Sequence, residues 1–104
     1  MSDIEYTLDD MVFNWNEIKA EINKKKHDIT FEEAATSFKD PHALILDDED
    51  HSYDEERFVL LGYSIMSNLL TVCHCYRYND SITRIISARK ATNEERRTYE
   101  GEFL

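Results

Sequence analysis

The stretch Ile82-Thr83-Arg84-Ile85-Ile86-Ser87-Ala88-Arg89-Lys90 sets three cations among isoleucines and small residues. A guanidinium offers paired donors that match the oxygens of a phosphate, so the first chemistry this segment suggests is anion binding. Cleaving an RNA phosphodiester without a metal needs a base near the 2′-hydroxyl, an acid for the leaving oxygen, and cations where charge develops on the phosphorane. Arg84 and Arg89 are candidates for those cations, and Lys90 for a looser contact. The competing reading is that they are solvated surface side chains. On a regular strand Arg84 shares a face with Ile82 and Ile86 while Arg89 takes the other face. The two converge only if a bulge or turn near Ala88 re-aims the chain.

A second candidate group lies in Asp47-Asp48-Glu49-Asp50-His51-Ser52-Tyr53-Asp54-Glu55-Glu56-Arg57. Seven acids around His51 favour its charged imidazolium form, which suits a general acid. The segment lacks the glycine and the spacing of a calcium loop, so a solvated acidic loop is the alternative. Cys73-His74-Cys75 has metal-ligand residue types, but successive strand side chains face opposite ways and the three cannot converge simply. The two cysteines are expected to be free thiols. Lys24-Lys25-Lys26-His27 reads first as cations ending a helix, and second as a phosphate contact. No Gly-rich phosphate loop, nucleophile elbow or zinc-protease spacing occurs, and neither a cofactor nor a metal is expected.

The elements that must hold these residues follow from pattern and caps. Residues 11–15 suit a strand, and Asn16 offers an N-cap for a helix to about residue 26, with Trp15, Ile18 and Ile22 as its expected buried stripe. Thr30-Phe31-Glu32-Glu33 matches a capping box, and the helix it opens is expected to stop at Asp40-Pro41. Residues 43–46, 57–64, 69–76 and 82–88 read as an antiparallel meander, in which the unbroken Phe58-Val59-Leu60-Leu61 fits a strand covered on both faces. A second box, Thr92-Asn93-Glu94-Glu95, opens a closing helix with Tyr99 and Phe103 one turn apart. The expected class is α+β: a mainly antiparallel sheet with helices packed on one face. Residues 1–10 carry four acids and read as an acidic lead-in, partly disordered, ahead of a single domain over 11–104.

Charge distribution says more than its total. The chain has 12 Lys and Arg against 22 Asp and Glu, a net −10 that favours solubility and, taken as a whole, discourages nucleic acid. Residues 77–97 nevertheless hold six basic groups against three acidic ones, leaving six against nineteen elsewhere. Screening acts over about 8 Å at physiological salt, so a basic site on an acidic protein is physically reasonable. No apolar run approaches the roughly 20 residues of a membrane helix, and Met1-Ser2-Asp3-Ile4-Glu5 lacks signal-peptide character. A cytoplasmic protein with no membrane partner is the expectation.

Three segments taken in order carry a family resemblance. They are Trp15-Asn16-Glu17 to Lys26-His27 with Thr30-Phe31-Glu32-Glu33-Ala34; Asp50-His51-Ser52 with Glu55-Glu56-Arg57-Phe58; and Arg84-Ile85-Ile86-Ser87-Ala88-Arg89-Lys90-Ala91-Thr92 with Glu95-Arg96-Arg97-Thr98-Tyr99. Together they resemble the BrnT toxins of type II toxin–antitoxin systems. The resemblance implies a RelE-like fold and a metal-independent endoribonuclease that arrests growth by cleaving RNA. It also implies neutralisation by a BrnA-type antitoxin with a ribbon-helix-helix domain, in a hetero-oligomer. The positions it implies are Arg84, Arg89, Glu55 and His51 for catalysis, and Lys90, Arg57 and Lys26 for RNA binding. The chain departs from the family at Asp28, where glycine is common after Lys-His, and in its acidity before Val12. Two other functions stand beside this one: a non-catalytic acidic module that keeps the fold and sequesters a basic protein, and a DNA-binding regulator. The regulator would need a basic recognition helix that the sequence does not offer.

Overall fold

The computed structural model describes residues 2–48 and 55–101. Among the described residues, six strands form one sheet in the order β1-β2-β6-β5-β4-β3, comprising β1 Asp3–Leu8, β2 Met11–Asn16, β3 Leu44–Asp47, β4 Phe58–Tyr63, β5 Leu69–Arg77 and β6 Ile82–Lys90. All neighbours are antiparallel except β2 and β6, which run parallel and pair only at Phe13↔Thr83 and Asn14↔Arg84. Helix α1 spans Glu17–His27, α2 Phe31–Thr36 with a 3-10 turn at Ser37–Lys39, and α3 Asn93–Glu100.

Helices α1 and α2 seal one face. Phe13, Trp15, Phe31, Leu60, Leu70, Val72 and Ile85 pack there at 2% exposure or less, with Phe31 edge-on to Trp15. The starts and stops are chemical. The Asn16 side chain accepts from Lys19 N and the Thr30 side chain from Glu33 N. Asp28 ends α1 in the left-handed conformation, φ 59°, where its N–H donates to Lys24 O at 2.8 Å. A short polar side chain tolerates that geometry better than most, so Asp serves where glycine would be easiest. Gly62 has a different reason: a Cβ there would stand 2.8 Å from Ser37 O, so β4 and the 3-10 turn touch only because it has none.

Several expectations need correction. Residues 3–8 are an edge strand, not a disordered lead-in. Ile4, Tyr6 and Leu8 pack against the core while Asp3, Glu5 and Thr7 face out, a period-two pattern hidden by the density of acids. Ile18 and Ile22 are more than half exposed. Trp15 belongs to β2, so a helical stripe counted from it is out of phase; the inward residues of α1 are Ala20 and Asn23. The Thr30 box is only half formed, because Glu33 accepts instead from Ser64 Oγ at 2.6 Å and Asn68 Nδ2 at 2.8 Å. The box at Thr92 is complete. Phe103 lies outside the described residues.

Candidate functional site

The face opposite α1 and α2 carries the chemistry, and one irregularity builds it. Along β5, Cys75, Cys73 and Thr71 alternate onto that face, and their partners in β6 are Arg84, Ser87 and Arg89. Cys73 and His74 are adjacent, yet they pair with Ser87 and Ile85, so Ile86 is an extra residue in β6. This bulge reverses the alternation beyond it. The expected conflict between Arg84 and Arg89 is thereby corrected: both stand on one face, roughly 13 Å apart by the rise of the four β5 residues that separate their partners.

The bulge sits where the parallel ladder has run out. Beyond Arg84 nothing in β2 pairs with β6, and a side chain of α1 takes over. Asn23 Nδ2 donates to Ala88 O at 2.9 Å and to Ile29 O at 3.0 Å, while Ala88 N donates to Asn23 Oδ1 at 3.0 Å. One carboxamide thus does the work of a missing strand residue. Sequence reasoning passed over Asn23, since a lone Asn in a helix carries no cue to a partner 65 positions away.

The site itself is a cleft of about 500 Å³ bordered by Arg57, Thr71, Cys73, Ser87, Arg89 and Glu95. Arg89 donates to both oxygens of Glu95, Nη1 to Oε1 at 2.8 Å and Nη2 to Oε2 at 2.9 Å. Thr71 Oγ1 and Thr92 N complete the carboxylate, at 2.8 and 2.9 Å. The Arg89 guanidinium and these donors hold Glu95 at a pKa of about 2 against the opposing effect of burial, and Glu95 holds Arg89 above its ordinary value. Glu95 in this arrangement is an anchor for Arg89, not a proton shuttle near neutral pH. It brings α3 over the same face, where Tyr99 also packs edge-on to Tyr63 and donates to Asp40 Oδ2 at 2.6 Å.

Toward the other end, Arg84 donates to both carboxylate oxygens of Asp3, at 3.0 and 3.3 Å, and to Asn14 Oδ1 at 3.2 Å. Glu55 pairs with Arg77 and accepts from the Cys75 thiol at 3.7 Å, which places it beside the residue that faces Arg84 across the ladder. The Arg77 guanidinium lowers the pKa of Glu55. Of the residues singled out from sequence, Arg84, Arg89, Arg57 and Glu55 therefore gather on this face. Lys26 borders a second groove that shares Ile86 and Ser87 with the cleft. Lys90 pairs with Leu70, on the opposite alternation from Arg89, and is not among the cleft residues. His51 lies outside the described residues.

The cysteines and His74 do not form a ligand set. Burial, then the neighbouring Asp48, pushes the Cys73 thiol up to about 12, and burial raises Cys75, so both are protonated free thiols. His74 points to the sealed face, with Nδ1 3.1 Å from Val72 O and Nε2 3.1 Å from Tyr76 Oη. A carbonyl only accepts, so Nδ1–H donates to Val72 and the Tyr76 hydroxyl donates to Nε2. Burial lowers the His74 pKa and keeps it neutral.

The comparison with curated proteins returns no match. A family model described as the ribonuclease toxin BrnT of type II toxin–antitoxin systems matches residues 15–95, which hold the bulge, Asn23, both arginines and the Glu95 anchor. The chain therefore belongs to the BrnT family of ribonuclease toxins.

Proposed function

We propose that this chain is a cytoplasmic, metal-independent endoribonuclease that arrests growth until a BrnA-type ribbon-helix-helix antitoxin binds it. The observation that supports this reading is the Ile86 bulge, which sets Arg84, Ser87 and Arg89 on one face together with Arg57. Cations in that row suit a bound RNA backbone, and a guanidinium against the reacting phosphate offsets the charge that builds as the 2′-oxygen attacks phosphorus. Attack by the 2′-oxygen breaks the P–O5′ bond, leaving a 2′,3′-cyclic phosphate and a 5′-hydroxyl. A base takes the 2′ proton and an acid supplies one to the departing oxygen. Glu55 and His51 are the candidates for those transfers, with Arg57, Lys26 and Lys90 as backbone contacts.

The intramolecular pairing of Arg84 and Arg89 with carboxylates favours a second reading, an acidic module that binds a basic partner without chemistry. Incubating the purified chain with RNA in excess chelator separates the two. Fragments with 5′-hydroxyl ends are expected, and their formation should stop on adding the antitoxin. Intact RNA from a folded chain that still binds the antitoxin overturns the nuclease reading in favour of the binding module.

A further inference from the structure

The pairs made by Arg84 and Arg89 are not equivalent. Glu95 is mostly enclosed and satisfied by donors from three residues, Arg89, Thr71 and Thr92. Asp3 has a side chain 56% exposed, while that of its partner Arg84 is 21% exposed. The arginine is held in place: its register partner in β2 is Asn14, whose Oδ1 accepts from Nη1 at 3.2 Å, and its guanidinium reaches beyond β2 toward the edge strand. The carboxylate is the exchangeable member. Both Asp3 oxygens face both terminal nitrogens of Arg84, the same two-pronged match that two non-bridging phosphate oxygens make. A pair this exposed adds little to stability, so fastening β1 is a weak explanation for it. Arg84 lies within the matched residues 15–95, and Asp3 lies before them.

We propose that Arg84 and Asn14 form a phosphodiester subsite for RNA, that Asp3 fills it as an internal stand-in for phosphate, and that substrate must displace Asp3 to bind. The inference rests on the nuclease reading above and adds a brake to it. Binding then carries the cost of breaking one exposed ion pair, which corresponds to roughly a threefold to fivefold loss of affinity.

The test uses the full chain and a 2′-O-methyl RNA oligonucleotide, which lacks the proton on the attacking oxygen and so reports binding alone. Anisotropy titrations at one fixed salt compare wild type with Asp3→Asn, Glu5→Gln, Arg84→Ala and the Asp3→Asn/Arg84→Ala double variant. Glu5→Gln removes the same charge from the same exposed side of β1. Expected are a threefold to fivefold tighter complex for Asp3→Asn, a smaller change for Glu5→Gln, weaker binding for Arg84→Ala, and no gain from Asp3→Asn once Arg84 is absent. Equal gains from both acidic variants, or a gain that survives loss of Arg84, would mean general charge repulsion and overturn the proposal. A lower Tm for Asp3→Asn at unchanged affinity makes the pair a staple and overturns it too. If Arg84→Ala weakens binding while Asp3→Asn changes nothing, the brake fails and the arginine site stands. If wild type and Arg84→Ala behave alike, the arginine site fails and the brake with it.

Discussion

The two faces of this sheet are built from the same strands and answer to different physics. On the face under α1 and α2, alternate residues of β2, β4, β5 and β6 are apolar and enclosed, and the buried polar His74 has partners on both ring nitrogens. On the other face the same strands present Asn14, Cys73, Thr71, Arg84 and Arg89 beside the buried Leu61 and Leu69, and around the arginines order comes from charge pairing. A sealed face is specified by shape and area and is costly to disturb. A face of paired ions contributes little to stability, because each ion gives up hydration for its partner, and it can be rearranged by a ligand of the right charge. The Ile86 bulge links the two, keeping Ile85 and Ala88 buried while turning both arginines to the open side.

Substitutions that strike one face and spare the other sharpen that contrast. Trp15→Ala should have the largest effect, about 3 to 5 kcal/mol of stability, since the indole is enclosed between Tyr6 and Phe31. Denaturant titration measures it, and a loss below about 1 kcal/mol would break the distinction between the faces. Arg89→Ala should reverse the pattern, with a smaller loss of stability than Trp15→Ala from a chain that still folds, and RNA cleavage down about a hundredfold, or roughly 3 kcal/mol of transition-state stabilisation. Wild-type cleavage by a folded Arg89→Ala protein would remove that arginine from the chemistry. Asn23→Ala tests the link. It leaves Ala88 N and two carbonyls without the carboxamide, so about 2 kcal/mol of stability should go, together with cleavage in excess of what unfolding explains. Stability falling with activity per folded molecule intact would mean that the bulge holds without Asn23.

How much of this was legible follows the same division. The sealed face is written in periodicity and caps, so β2 through β6, the N-caps at Asn16, Thr30 and Thr92 and the stop near Asp40 could be read directly. Strand β1 could not, because a count of acids masked the alternation of Ile4, Tyr6 and Leu8. On the open face the residue types at Arg84 and Arg89 were visible but their convergence was not. It depends on one unpaired residue, and Ile86 has neither the glycine nor the proline that marks many bulges. The partners were hidden for a related reason: Asp3 reaches Arg84 across 81 positions, and Glu95, whose spacing to Thr92 announced a helix start, spends its carboxylate on Arg89 as well.

Acid should open the two faces in different pH ranges, and within any one pH unit this is the smallest and most discriminating of the expected effects. His74 is held neutral by burial, with a folded pKa below its ordinary 6.5. The unfolded chain therefore binds a proton that the folded chain refuses, and stability contributed through His74 falls as pH drops below about 6.5. Glu95 has the opposite chemistry and a lower window. Its folded pKa of about 2 lies under the ordinary 4.5, so its contribution is complete above 4.5 and is lost as pH falls from there toward 2. One proton limits either slope to about 1.4 kcal/mol per pH unit. Tm should thus begin to decline below about pH 6.5 through His74, and decline more steeply below about 4.5, where the Arg89–Glu95 anchor adds its own loss. His74→Gln will be less stable overall, since a non-titrating amide cannot reproduce both ring contacts, but its Tm should be flatter than wild type between pH 7 and 5. Glu95→Gln should keep that upper stage and flatten the lower one. If His74→Gln retains the wild-type slope between pH 7 and 5, the acid response arises elsewhere, and the enclosure of a neutral imidazole is not what sets the sealed face apart.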